Sequence, residues 1–168
     1  MTTHSTARVI GPTDGEAVLL ASIGVRFLIA GDDVGERFAL VEHPMPPRAL
    51  AAPLHRHNRE DEYSFVLEGK VGALLGDDLV LGGPGDLIFK PRGQWHTFWN
   101  AGDEPARILE LISPAGFERY FREMSELPST AQPADRAAIA ARYELDVESE
   151  SIARLTQEHG LRFGRAPA

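Results

Sequence analysis

The chain has 168 residues, with 17 Lys and Arg against 25 Asp and Glu, a formal net charge of −8 and no cysteine. That length suits a single domain, and a hydrophobic content of 43% is enough for a real core. The composition excludes a membrane-spanning helix, since no apolar run approaches about 18 residues; it excludes disulfides, thiolate zinc sites and cysteine nucleophiles; and its acidic balance disfavours general nucleic-acid binding.

In chain order, the first residues, Met1-Thr2-Thr3-His4-Ser5-Thr6-Ala7-Arg8, lack the apolar core of a signal peptide, so the cytoplasm is the expected compartment. From there to about residue 113 the chain consists of short apolar runs, at 17–23, 26–30, 37–41, 62–67, 71–75, 79–81, 87–90, 97–99 and 107–112. Turn-like spacers such as Gly31-Asp32-Asp33, Gly76-Asp77-Asp78 and Gly82-Gly83-Pro84-Gly85 separate them. Many short strands at regular spacing predict an antiparallel sandwich or barrel. The composition shifts after Ser113-Pro114. Phe117, Tyr120, Phe121, Met124 and Leu127 fall on one stripe of a helix over 116–127, which Pro128 ends. An Ala-rich stretch over 134–145 predicts a second helix, and Ile152, Leu155 and His159 a third that stops at Gly160. Residues 162–168 read as loose. The chain thus divides into a β domain over 1–114 and a helical extension over 115–168, expected to pack on the barrel or on a partner subunit.

Two blocks carry the chemistry. His55 and His57 are one residue apart, so on a strand both imidazoles point to the same face. A turn through Asn58-Arg59-Glu60-Asp61 brings Glu62 back to that interior, followed on the same parity by Ser64 and Val66. The second block runs from Gly85 to Asn100, where a Pro91-Arg92-Gly93 turn aims His96 at the start of the next strand, with Phe98 on its face. Three neutral imidazoles and one carboxylate suit a divalent transition metal and leave open positions in an octahedral shell, whereas a closed structural zinc site would more often use cysteine. Glu60 and Asp61 are rival carboxylates next to Glu62.

These blocks resemble the two motifs of the cupin superfamily. His55, His57, Glu62 and Gly69 fit the first at its spacing, which also favours Glu62 over its acidic neighbours; Ala49 stands where the family has its opening glycine. Gly85, Pro91, Gly93, His96 and Asn100 match the second at every position. The resemblance covers about residues 35–112. It implies an all-β jelly-roll barrel, here with a C-terminal helical extension, and His55, His57, Glu62 and His96 as ligands of a divalent ion (Fe, Mn, Ni, Co, Cu or Zn). The Gly116-Phe117-Glu118-Arg119-Tyr120-Phe121 segment that follows the core is similar to that of quercetin-dioxygenase-like bacterial cupins. That likeness implies an oxygenase taking O2 and a flavonol or related enol or diketone, with Glu62 also accepting the substrate's hydroxyl proton. The alternatives are a non-catalytic sensor or small-molecule-binding cupin, and a cupin isomerase or lyase.

Parity sets the remaining expectations. Ser64, Val66, Phe89, Gln94 and Phe98 are the expected pocket lining. Arg48 and Arg56 are candidates to meet an anionic substrate, although alternation turns Arg56 away from the cavity. Trp95 and Trp99 fall on the parity opposite to His96, on the outer face or in an oligomer contact. Tyr63, Phe65, Leu67 and Trp95 make an apolar outer face that predicts a homodimer. His43 reads as an ordinary strand-end histidine, and His4 and His159 as solvated.

Overall fold

The computed structural model describes residues 6–164. Ten strands come first: β1 (Ala17–Leu20), β2 (Ile23–Ile29), β3 (Ala39–Met45), β4 (Leu54–His57), β5 (Asp61–Glu68), β6 (Val71–Leu75), β7 (Asp78–Gly82), β8 (Leu87–Lys90), β9 (His96–Asn100) and β10 (Ala106–Ser113). Then follow α1 (Glu118–Glu126), α2 (Pro133–Arg142), a further strand β11 (Leu145–Glu148) and α3 (Ser151–His159). The strands form two antiparallel sheets, a six-stranded one in the order β1-β2-β3-β10-β5-β8 and a five-stranded one in the order β11-β4-β9-β6-β7. This is the jelly-roll arrangement expected, with a helical C-terminal part. The run over 17–23 is not one strand: it breaks at Ala21, whose φ of 49° makes the turn between β1 and β2.

Alternation decides what faces inward. On β10, Ala106, Ile108, Glu110 and Ile112 are buried while Arg107, Leu109, Leu111 and Ser113 are half-buried. β5 buries Glu62, Ser64 and Val66, and β8 buries Ile88 and Lys90. One apolar cluster, including Ile23, Met45, Val66, Val71, Ile88, Phe98 and Ile108, fills one part of the interior. A second joins Val25, Phe27, Val41 and Ile112 to Phe117, Phe121, Ala140 and Leu145 of the extension.

The extension is more than a helical appendage. The helix predicted over 134–145 stops at Arg142, and Leu145 begins β11, which pairs antiparallel with β4 along its whole length, Leu145 opposite His57 and Glu148 opposite Leu54. On its other side β4 meets β9 at one register position, His55 opposite His96. α3 covers the outer face of the five-stranded sheet, where Leu155 and Leu161 bury Trp99 and Leu50. Trp99 therefore does lie on the outer parity, beneath α3 of its own chain. His159 is not solvated either, since its ring stacks on Trp99 at 4.6 Å. Gly72 lies under this indole, and a Cβ there would sit 2.4 Å from Trp99 Nε1. Arg162 is tied down, its carbonyl accepting from Leu50 N and its amide donating to Arg48 O. His4 and residues 165–168 lie outside the described residues. Among the described residues, no helix is long and apolar enough to cross a membrane.

Candidate metal centre

β4 delivers His55 and His57, β5 delivers Glu62 and β9 delivers His96 to one point inside the sandwich. One donor atom from each of these four buried residues lies within 4.8 Å of the others. The Pro91-Arg92-Gly93 turn sets the approach of β9. Gly93 takes φ of +80°, and its amide donates to His57 O at 2.7 Å, which couples the two histidine-bearing segments. Asn100 holds the other end of β9, its Nδ2 donating to the carbonyls of Met45, Pro46 and Glu104.

The hydrogen bonds select the tautomers. His55 Nδ1 donates to Pro53 O at 2.8 Å, and His96 Nδ1 donates to Gln94 O at 3.0 Å. Carbonyl oxygens only accept, so each neutral ring presents Nε2 as a lone pair to the centre. His57 is 3.2 Å from Glu62 Oε1 through Nε2 and 3.7 Å from Glu60 Oε2 through Nδ1. Both contacts are close enough for electrostatic attraction, yet the angles and distances make no hydrogen bond. Both His57 nitrogens and Glu60 Oε2 are buried without a hydrogen-bond partner among the described residues. Buried polar atoms left unpaired are costly. Their convergence with lone-pair donors is what a cation would satisfy, and three imidazoles with one carboxylate are the donor set of first-row divalent ions. The residues fit a metal.

Electrostatics without an ion show the same tension. Burial, then the neighbouring His96 and His57, push His55 well below the ordinary histidine range. Burial also works against a charged His57, but the Glu62 charge and the Glu60 and Glu62 oxygens raise it to about 9. For Glu62, burial favours the neutral acid, and the Lys90 ammonium together with His57 outweighs it, holding the carboxyl well below the usual range.

Behind Glu62 lies a buried polar network in which His43, 1% exposed, is not an ordinary strand-end histidine, and whose Lys90 and Glu110 the sequence did not single out. Lys90 is 1% exposed, and its Nζ donates to Glu110 Oε1 at 2.5 Å and forms an ion pair with Glu62 Oε2 at 2.9 Å. Glu110 also accepts from Ser64 Oγ at 2.6 Å and faces His43 Nε2 at 3.0 Å. His43 Nδ1 donates to Gly24 O at 3.1 Å. Glu110 is held at about 2: burial and the Glu62 charge oppose ionisation, and Lys90 and His43 overcome them. The missed signal was parity. His43 alternates with Val41 and Met45, Lys90 with Ile88, and Glu110 with Ile108 and Ile112, so each is a polar residue in an inward apolar series.

The cluster opens on a cavity of about 120 Å³, which His55, Glu62, His43, Glu110 and Phe98 line together with Phe117, Tyr120, Phe121 and Met124 of the extension. Of the five residues expected to line a pocket, only Phe98 does so. Phe89 turns outward, 47% exposed and stacked on Tyr63, because Ile88 and Lys90 hold the inward parity of β8. Ser64 is buried beneath Glu110, Val66 lies in the apolar cluster further along β5, and Gln94 stays in the turn, offering its carbonyl to His96. Arg56 points outward as expected, pairing with Asp146 and packing on Trp95, and Arg48 pairs with Asp103 at the surface. Neither lines the cavity.

The fold and the metal-suited cluster define a small jelly-roll protein of the cupin class, and comparison with known proteins agrees. A cupin-domain family model matches residues 42–112. The polyketide cyclase RemF from Streptomyces resistomycificus is 32% identical, with a TM-score of 0.57 over 64% of this chain and 80% of that one. The chain belongs to the cupin superfamily. It is also 28% identical over 89 residues to the tetracenomycin polyketide synthase protein TcmJ of Streptomyces glaucescens, a match over 53% of this chain and 60% of that protein. KdgF from Halomonas sp. shares the fold at 16% identity, with a TM-score of 0.60 over 68% of this chain and 99% of that one.

Proposed function

We propose that this protein is a metal-dependent enzyme acting on a small, largely apolar ring compound with enolisable hydroxyl and carbonyl oxygens, by proton transfer without net oxidation. The observation that carries this reading is the meeting of a His/His/Glu/His cluster with an aromatic-walled cavity that also contains the His43–Glu110 pair. The polyketide-related names of the 32% and 28% identical proteins support the substrate class.

His55, His57, Glu62 and His96 would hold a divalent ion, which would supply Lewis acidity toward a substrate oxygen. The Pro53 and Gln94 carbonyls keep the His55 and His96 rings oriented for that task. Phe98, Phe117 and Phe121 exclude water and favour a flat apolar body. Glu62 Oε2 is paired with the Lys90 ammonium and Oε1 faces His57, so proton transfer falls to His43 and Glu110 rather than to Glu62. His43 Nδ1 needs its hydrogen for Gly24 O, and the Nε2–Oε2 contact of 3.0 Å holds one further proton between ring and carboxylate. That proton can be exchanged with a substrate in the cavity.

A second reading, the dioxygenase, is favoured by the donor count. His55, His57, Glu62 and His96 would supply four donors to a divalent ion, fewer than the six such ions commonly take, and the ion would then supply the chemistry of O2 activation. Turnover of enolisable ring ketones followed by mass spectrometry under strict anaerobiosis separates the two. Anaerobic turnover supports proton-transfer chemistry; conversion only with stoichiometric oxygen uptake replaces it with the oxygenase. Protein purified without chelator is expected to contain one metal per chain, and His57→Ala and His96→Ala to lose it. Wild-type protein without stoichiometric metal by elemental analysis would sink both readings.

A further inference from the structure

The hydrogen-bonding groups of the cavity wall are nearly all committed. His55 and Glu62 belong to the metal cluster. His43 and Glu110 are bonded to each other, to Gly24 O, and to Ser64 and Lys90. Tyr120 is different. It reaches the cavity from α1, outside the span that matches the family, and its hydroxyl has no hydrogen-bond partner among the described residues. The other tyrosine packed beside it, Tyr143, donates to Glu123 Oε1 at 2.5 Å. The Tyr120 ring is fixed by its own packing, stacked on Phe117 at 4.8 Å and edge-on to Tyr143 at 5.7 Å. Burial pushes its phenol up to about 12, so it stays protonated and remains a donor at neutral pH. A fixed donor that the fold does not use, on a wall whose other polar groups are already engaged, distinguishes ligands that carry an acceptor there from those that do not.

We propose that Tyr120 is a specificity-determining residue: its hydroxyl donates a hydrogen bond to an acceptor oxygen on the apolar ring body of the substrate, separate from the oxygens directed at the His55/His57/Glu62/His96 cluster. The ligand class is therefore an apolar ring compound that carries, besides the hydroxyl and carbonyl oxygens directed at the cluster, an isolated carbonyl or ether oxygen elsewhere on its rings. This rests on the cavity being the substrate site.

The test uses zinc-loaded full-length protein and two probes with the same two fused rings. One is a hydroxynaphthoquinone, with a hydroxy-ketone edge and an isolated carbonyl. The other is a hydroxyacetylnaphthalene, which lacks the isolated carbonyl. Calorimetric titration is expected to show Tyr120→Phe binding the quinone about tenfold more weakly and the second probe within about twofold of wild type. The thermal midpoint should not move, since the substitution removes only an unpartnered hydroxyl. Equal losses for both probes, or no loss for the quinone, overturn the role of Tyr120 and leave the substrate site standing. Failure of zinc-loaded wild type to bind either probe overturns the substrate site itself, and the proposal with it.

Discussion

Lys90 is the residue on which the interior charges turn. A fully buried ammonium is costly unless paired, and here the Glu110 and Glu62 carboxylates together outweigh its burial and raise it above the ordinary lysine value. Lys90→Met is expected to leave two buried carboxylates facing each other and to destabilise the fold by about 3–5 kcal/mol in urea unfolding. Glu110 gives a pH prediction. Its folded value of about 2 lies under the ordinary 4.5, so its ionisation stabilises the fold fully above about pH 5 and that stability is lost as pH falls toward 2. The urea midpoint is expected to drop between about pH 6 and about pH 3, and to drop less in Glu110→Gln. The ligand set was legible at this scale because His55, His57, Glu62 and His96 stand at distinctive spacings. The partners of Lys90, Glu110 and His43 were not, because β3, β8 and β10 meet only through sheet order, which alternation along one strand does not specify.

Elements were legible where period and punctuation agreed. The strand runs from 62 to 112 match β5 to β10 closely, the run over 37–41 stops four residues short of the end of β3, β4 was not among the runs, and the third helix ends at Gly160 as its pattern predicted. β11 was missed because Leu145-Asp146-Val147-Glu148 is too short to show a period of its own and continues an Ala-rich helical stretch. Its partner strand, not its composition, makes it extended. The most deeply buried apolar side chain of α3 is Leu155, which packs in one cluster with Trp99 and Leu50. Leu155→Ala is expected to cost about 2–5 kcal/mol, read as a lowered denaturant midpoint. The N-terminal end of the same helix is tied to the ligand strand: Ser151 Oγ accepts from Leu54 N at 2.8 Å and donates to Glu148 O at 2.6 Å.

On the scale of the molecule, the outer face of the six-stranded sheet is apolar. Leu40, Tyr63, Phe65, Leu87, Leu109 and Leu111 line a shallow groove there, with Phe65 and Leu87 more than 40% exposed. A contiguous apolar surface of this kind is what the association of two copies would cover. A homodimer through this face is expected to run in light scattering at about twice 18.4 kDa, and Phe65→Lys to shift it to the monomer; a monomeric wild type removes this interface. The pairing of β4 carries a further consequence. Two of the four donors ride on a strand whose long partnership is with β11 and whose contact with β9 is a single register position. A shortened chain ending where the family's homology ends would retain every ligand in its sequence, yet its histidine strand would become a loose selvedge and its affinity for metal would collapse. A transplant of the candidate centre into another scaffold is thus expected to hold metal only if it carries β11 along with it.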